Sequence, residues 1–290
     1  MFHGIIGING NYILWFIYPI MNLRDVLEKY KSGDLSLNDA QKQIQLSNFS
    51  TLSDIANIDH TRQERTGIPE VVLAEGKYDN DLVAIVNHCL SVNKRVVVTR
   101  LEASRYSKSG LSEIESQVHE WDERSRVLVL GNKDVKKTGG IIGVISAGTA
   151  DIAVANEAAI IAREMGCEII TAYDVGVAGI HRLFPYLTKM MGAGISAIVV
   201  AAGREGTLPS IVAGLVDVPV IGVPVSTGYG IGGKGEAALY SMLQSCSVLS
   251  VVNIDAGFVA GAFAAQIANN CAKARGRGID QDASERKDNS

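Results

Sequence analysis

Continuous apolar runs punctuate the second half of the chain at Ile141–Ile145, Ile169–Tyr173, Ala197–Ala201, Val220–Val223 and Val248–Val252. Short runs without polar alternation suit strands buried on both faces, as in a parallel sheet. The stretches between them, Ala150–Met165, Arg182–Met191, Leu208–Leu215 and Glu236–Ser245, have helical spacing, and Phe258–Ala272 predicts a closing helix. Strand and helix in strict alternation predict a doubly wound, three-layer α/β/α domain with a parallel sheet over 141–270.

The first half is patterned differently. Leu23–Lys31 and Ser36–Leu46 read as an amphipathic helix pair, with Gly33 between them and Ser36 placed to cap the second. Val71–Ala74, Arg95–Thr99 and Val127–Leu130 read as buried strands, with a helix over Asp79–Leu90, so a small α/β domain is expected over 22–132. Charge density marks the boundary: 35 charged residues fall in 22–139 and 14 in 140–270. The linker is therefore placed at 133–140 and a disordered charged tail at 271–290.

Residues 1–21 contain no Asp, Glu, Lys or Arg. Their apolar core is about ten residues, short of the ~20 a spanning helix requires, and they lack a basic lead and a small-residue cleavage site. They read as an extension ahead of a working start at Met21, with a disordered or packed extension and an anchor as alternatives.

A net charge of −4 argues against a general grip on nucleic acid. Cys89, Cys167, Cys246 and Cys271 are far apart, which argues against a structural zinc site or a disulfide scaffold. A cytoplasmic, soluble protein without a membrane role is expected.

The candidate chemistry follows the strands of the second domain, where folds of this type bind ligands. Ser146-Ala-Gly-Thr-Ala-Asp151 opens a helix: it suits an anion held on unpaired N–H groups, or equally an N-cap by Thr149 or Asp151. The next ends are Asp174-Val-Gly-Val-Ala-Gly-Ile-His181-Arg182, Ala202-Gly-Arg-Glu205-Gly-Thr-Leu-Pro-Ser210 and the glycine-rich Pro224–Gly235. Turn chemistry alone seldom places ionisable groups at one edge, so these ends predict a site for a phosphate-bearing small molecule. His181 fits a ligand contact or a helix start. Cys246, with Ser245 and Ser247 beside it, fits a small buried residue or a solvated thiolate.

Taken together, the motifs resemble the LarB family of nickel-pincer cofactor biosynthesis proteins, the pyridinium-3,5-biscarboxylic acid mononucleotide synthases. The resemblance covers about Leu23 to Asn269. It rests on Asp59-His-Thr-Arg62, Gly67-Ile-Pro-Glu70-Val, Glu75-Gly-Lys77 and Val97-Val-Thr-Arg100, then on SAGTAD (146–151), DVGVAGIHRL (174–183), GREGTLPS (203–210), GVPVSTGYG (222–230) and NIDAGF (253–258). The second domain more distantly resembles PurE, the aminoimidazole ribonucleotide (AIR) carboxylase, which implies a PurE-like three-layer fold and, by analogy, a homo-octamer.

The resemblance implies that the pyridinium ring of nicotinic acid adenine dinucleotide is carboxylated by carbon dioxide or bicarbonate. The phosphoanhydride is then hydrolysed to give the dicarboxylated mononucleotide and AMP. It implies Cys246 as nucleophile and Glu205 as base. Ser146, Gly148, Thr149 and Asp151 would hold phosphate and ribose, and Asp174, Gly176, Gly179 and His181 the ring, with Ser210 a further contact. Arg62, Lys77 and Arg100 are candidates for the carboxylate or diphosphate, surface salt bridges being their alternative. No protein metal site or tightly bound cofactor is expected; magnesium would arrive with substrate. A PurE-like purine carboxylase and a non-catalytic dinucleotide-binding protein are the alternatives.

Overall fold

The computed structural model describes residues 6–8, 11–13, 23–47, 50–52, 56–58, 62–111, 114, 118–131 and 135–276. Most of the extension 1–21, residues 133 and 134 of the linker and residues 277–290 of the expected tail lie outside the described residues. Two compact units are present, Met1–Thr66 and Gly67–Ser290.

In the first unit, β1 (Ile6–Ile8) pairs antiparallel with β2 (Asn11–Ile13), and β3 (Ser50–Leu52) with β4 (Ala56–Ile58). Helices α1 (Leu23–Ser32) and α2 (Leu37–Ser47) form the expected pair, and α3 (Arg62–Thr66) ends the unit. Ser36 Oγ accepts the Asp39 N–H at 3.1 Å, the N-cap its position predicts.

The second unit begins with β5 (Val71–Leu73), α4 (Asp79–Asn93), β6 (Arg95–Thr99), α5 (Ala103–Lys108), β7 (Val118–Asp122) and β8 (Val127–Gly131). These strands form a mixed sheet in the order β5-β6-β8-β7, with β5 and β6 parallel and the other pairs antiparallel. There follow β9 (Ile141–Ser146), α6 (Ile152–Glu164), β10 (Glu168–Ala172), α7 (Leu183–Gly192), β11 (Ala197–Ala202), α8 (Leu208–Ala213), β12 (Val220–Pro224), α9 (Glu236–Leu243), β13 (Ser250–Val251) and α10 (Gly257–Ala274). Their sheet is wholly parallel, in the order β10-β9-β11-β12-β13. This doubly wound order reverses direction between β9 and β11, which makes those two strand ends the topological switch point.

Two cores clothe the parallel sheet. On one face Ile145, Ile170, Ile198 and Val200 pack with Leu183, Leu187 and Met190 of α7, Val212 of α8 and Met242 of α9. On the other, Ile142, Val144, Val199 and Ile221 pack with α6 and α10, and the same cluster takes in Val97, Val127 and Val129 of the mixed sheet. Helices α6 and α10 cross closely because Gly261 has no side chain. A Cβ there would stand 2.3 Å from the carbonyl oxygen of Ala158.

The shared core explains a difference from the sequence reading. Residues 133–140 separate two sheets by charge density, yet both sheets belong to one compact unit: Val97, Val127 and Val129 share a core with α6, and Glu157 and Glu164 of α6 bond to Thr99 and Arg95 of β6. Four elements also differ. Strand β7 and helix α5 have no continuous apolar run and are not evident from patterning. Hydrogen bonding of the run Val248–Val252 to β12 begins only at Ser250, since β13 is an edge strand and Val248 is 94% exposed. Helix α10 continues to Ala274, four residues into the expected tail.

Candidate active site

The carboxyl ends of the central strands surround a cleft of about 440 Å³, within the usual range for a small-molecule site. Four strand ends build it. The loop after β9 contributes Ala147–Asp151, the loop after β10 Asp174 and Gly176–Ala178, the loop after β11 Gly203–Glu205 and Thr207, and the loop after β12 Thr227 and Tyr229. Arg182 completes the wall.

Asp151 ties three of these loops together. It is 5% exposed; its Oδ2 accepts the Gly148 N–H at 2.8 Å, and its Oδ1 accepts the Gly203 N–H at 3.1 Å and the Thr227 hydroxyl at 3.2 Å. Burial pushes its carboxyl above the ordinary carboxylate range, and the three hydrogen bonds oppose that shift. Beside it the N–H groups of Thr149 and Ala150 have no acceptor among the described residues. Unpaired donors at a helix start stabilise an anion.

The wall carries charges of both signs. Arg182 Nη1 donates to Asp174 Oδ2 at 2.9 Å. The Arg204 guanidinium lies 4.6 Å from the centroid of the Tyr229 ring, a cation–π contact. Glu205 is exposed on the cleft surface. Its loop lies tight against α9 because Gly206 adopts φ +61°, with Ala238 where a Cβ would stand.

Of the residues expected from the sequence, Gly148, Thr149, Asp151, Asp174, Gly176 and Glu205 line the cleft. Ser146 is fully buried beneath it, and its hydroxyl accepts the Asp174 N–H at 3.1 Å, so it shapes the wall without facing it. Gly179, His181 and Ser210 are outside the lining; His181 is exposed on the turn before α7. Arg100 donates to Glu75 at 3.0 Å and to the carbonyl of Asp255 at 3.2 Å, the surface ion pair of its alternative reading. Lys77 supplies its carbonyl to Arg105, and Arg62 lies in the first unit.

Cys246 is exposed and is not part of the cleft. It lies between the end of α9 and the start of β13, where the chain has returned to the amino edge of the sheet, and Ser247 beside it approaches Gly214 at the end of α8. The cleft is at the carboxyl edge, so a cysteine and a glutamate of one chain lie at opposite ends of one sheet. Two of the other thiols are buried, which pushes Cys89 up to about 12 and Cys167 up to about 11.

Arg182, Arg204, Thr227 and Tyr229 are cleft residues that the sequence reading did not assign to the site. All four stand in the motifs 174–183, 203–210 and 222–230, so their place in the sequence was the available signal. Among the described residues no three or more His, Cys, Asp or Glu gather as metal ligands, and no helix is long and apolar enough to cross a membrane.

The AIR carboxylase family matches residues 141–289, and the LarB/PurE-like N-terminal domain matches residues 49–132. An uncharacterized protein of Methanocaldococcus jannaschii is 42% identical over 259 residues, covering 85% of this chain and 97% of that protein. The N5-carboxyaminoimidazole ribonucleotide mutase of Thermotoga maritima is 33% identical over 107 residues, or 36% of this chain and 58% of the mutase. That of Pyrococcus horikoshii is 31% identical over 124 residues, 41% and 66% respectively. The chain thus spans less than two thirds of either mutase, and their activity is not carried over with the fold. With a matching domain on each side of residues 133–140 and a relative similar along nearly its whole length, the chain belongs to the AIR carboxylase family and has the LarB-like architecture, a LarB/PurE-like N-terminal domain followed by a PurE-like α/β domain.

Proposed function

We propose that the protein carboxylates the pyridinium ring of nicotinic acid adenine dinucleotide and hydrolyses its phosphoanhydride, giving pyridinium-3,5-biscarboxylic acid mononucleotide and AMP as the first step towards a nickel-pincer cofactor. The observation that carries this reading is the make-up of the cleft wall: an anion cradle at Gly148–Asp151 faces a loop, Gly203–Thr207, that presents Glu205 and no histidine. A phosphorylated ligand and a carboxylate base are thereby brought together.

A pyridinium ring is electron-poor and does not attack carbon dioxide unaided. The chemistry requires a thiolate to add to the ring carbon opposite the ribosylated nitrogen, which converts the ring into an enamine. The neighbouring ring carbon then bonds to carbon dioxide. Glu205 removes the proton from that carbon, the electron pair restores aromaticity, and the carbon–sulfur bond breaks to release the thiolate. Water cleaves the phosphoanhydride in a separate step. Magnesium, bound through the substrate diphosphate, would neutralise the leaving AMP.

Cys246 is the thiol of this reading. Because it lies at the amino edge of its own sheet, it serves the cleft of a neighbouring copy, and the homo-oligomer becomes part of the mechanism. Exposed Leu215, Tyr240, Leu243 and Val248 surround that edge with apolar surface suited to subunit contact.

The test is to incubate purified protein with nicotinic acid adenine dinucleotide and bicarbonate. AMP and a product one carboxylate heavier are expected, and intact mass should show a transient adduct on Cys246. No AMP and no adduct would overturn the reading. The mutase relatives favour a second one, a purine-type carboxylase, which predicts turnover of aminoimidazole ribonucleotide instead.

A further inference from the structure

Arg182 and Arg204 are the basic residues of the cleft lining. Arg182 is already committed: it donates to Asp174 Oδ2 at 2.9 Å and to the Gly179 carbonyl at 3.3 Å. Among the described residues Arg204 has no carboxylate within 4 Å and no acceptor oxygen. Its guanidinium rests on the Tyr229 ring, 4.6 Å from the centroid. The cleft wall thus carries a cation whose charge no anion of the described residues matches.

The two loops that carry this pair are fastened to one carboxylate. Asp151 Oδ1 accepts the N–H of Gly203, the residue before Arg204, and the hydroxyl of Thr227, two residues before Tyr229. The loops then run close together: a Cβ on Gly228 would stand 3.6 Å from the Arg204 nitrogen. Gly206 closes the turn behind Arg204 by donating to the Gly203 carbonyl at 2.9 Å. Arg204 itself has φ +49°, a backbone conformation that disfavours a side chain, and the bonds on either side hold it there. Tyr229 is 76% exposed and its hydroxyl has no partner among the described residues, so packing in the core does not account for its place. What the ring supplies is a face for the guanidinium, an attraction that leaves N–H donors for another group.

We infer that Arg204, positioned by Tyr229, reads a carboxylate on the ring of the bound nucleotide, so that the cleft selects a carboxylated heterocycle over the same heterocycle without that charge. The phosphate end of such a ligand has its own cradle at Gly148–Asp151, and the bond from Gly203 to Asp151 joins the two receptors. The inference deepens the proposed function and rests on it for the identity of the ring. Nicotinic acid and nicotinamide nucleotides differ in this one substituent, an anion in the first and a neutral amide in the second. A guanidinium tells them apart because a carboxylate accepts two charge-assisted N–H bonds and an amide oxygen brings no charge.

The experiment measures dissociation constants by calorimetry for nicotinic acid mononucleotide and nicotinamide mononucleotide, with wild type, Arg204→Gln, Tyr229→Phe and Tyr229→Leu. Wild type should prefer the acid, and Arg204→Gln should weaken the acid about tenfold while leaving the amide within about twofold. Tyr229→Phe keeps the ring face and should keep the preference. Tyr229→Leu removes the face and should lose part of the preference with amide binding unchanged; a full preference in that variant would overturn the positioning role. Equal loss for acid and amide in Arg204→Gln would make Arg204 a phosphate contact or a prop for its loop, and no loss for either would remove it from the site; both overturn the inference. If wild type binds neither nucleotide, the proposed substrate fails, and the same comparison is made between aminoimidazole ribonucleotide and its ring-carboxylated form. A preference for the carboxylated form that Arg204→Gln abolishes leaves the carboxylate reader standing without the nicotinate reading; no preference within either pair overturns it.

Discussion

Asp151 Oδ1 accepts the backbone N–H of Gly203 at 3.1 Å, joining the loop after β9 to the loop after β11 directly across the point where the sheet order reverses. With Gly148 and Thr227 also donating, the carboxylate has three bonds on two oxygens. An asparagine has one acceptor oxygen, so whichever way its amide turned, an NH2 group would face a backbone N–H. Asp151→Asn should therefore cost about 1–3 kcal/mol of stability and weaken phosphate binding at the cleft. Urea titration and calorimetry with phosphate measure the two effects; an unchanged urea midpoint would show that the loops do not depend on this carboxylate.

Glu157 predicts a pH effect. It lies on α6, 6% exposed, and Thr99 of β6 donates to it from the mixed sheet. Burial pushes its carboxyl above the ordinary range, while Thr99 and the nearby Arg100 partly oppose the shift. A raised folded-state value means that the folded protein binds the proton more tightly than the unfolded chain. The resulting stability is complete below about pH 4.3, the ordinary value for glutamate, and is lost as pH rises through the raised value. Asp151 acts with the same sign, so the two must be separated by mutation. Glu157→Gln keeps an acceptor for Thr99 and removes the titration. Its stability relative to wild type should rise as pH goes from 4 to 7, and a pH-independent difference in urea midpoints would refute the assignment.

The parallel sheet was legible because its central strands are continuous apolar runs, and Ile141–Ile145 and Ala197–Ala201 match β9 and β11 to within one residue. Strand β7 was not, because Val118-His-Glu-Trp-Asp122 holds only two apolar residues, three positions apart, and so gives neither an apolar run nor an alternation. Four of the cleft's loops were legible from small and ionisable residues at strand ends. The contact of Arg204 with Tyr229 was not, since it joins two loops that only folding brings together. Nor does spacing along the chain reveal that Cys246 and Glu205 lie at opposite edges: that follows from the direction in which α9 carries the chain back across the sheet.

The ion pair between Arg95 and Glu164 predicts a stability effect. Arg95 begins β6, Glu164 ends α6, and the glutamate is 3% exposed. Arg95 Nη2 donates to Oε1 at 2.8 Å and Nε to Oε2, a bidentate fork. Arg95→Met would strand a buried carboxylate and should cost about 3–5 kcal/mol, whereas Arg95→Met with Glu164→Met should recover most of it, since a buried pair repays little beyond its own desolvation. Urea denaturation of both variants is the measurement; a double variant no better than the single one would mean that the fork, not the stranded charge, holds the mixed sheet to α6.

The opposed positions of Cys246 and Glu205 make the shared-site reading testable by mixing. Cys246→Ala and Glu205→Gln should each abolish carboxylation alone. If one copy supplies the thiol and another the carboxylate, chains refolded or co-expressed in equal amounts form some sites with both native groups, about a quarter of them for random pairing across an interface. Activity should return to roughly that fraction of wild type. Were both groups drawn from one chain, no mixed assembly would hold a complete site and activity would stay absent. A mixture that remains inactive, from subunits shown by native mass spectrometry to have exchanged, would therefore place the nucleophile elsewhere. Recovery would show that the cleft is completed only by its neighbour, and would account for a reactive thiol standing exposed on the far edge of its own sheet.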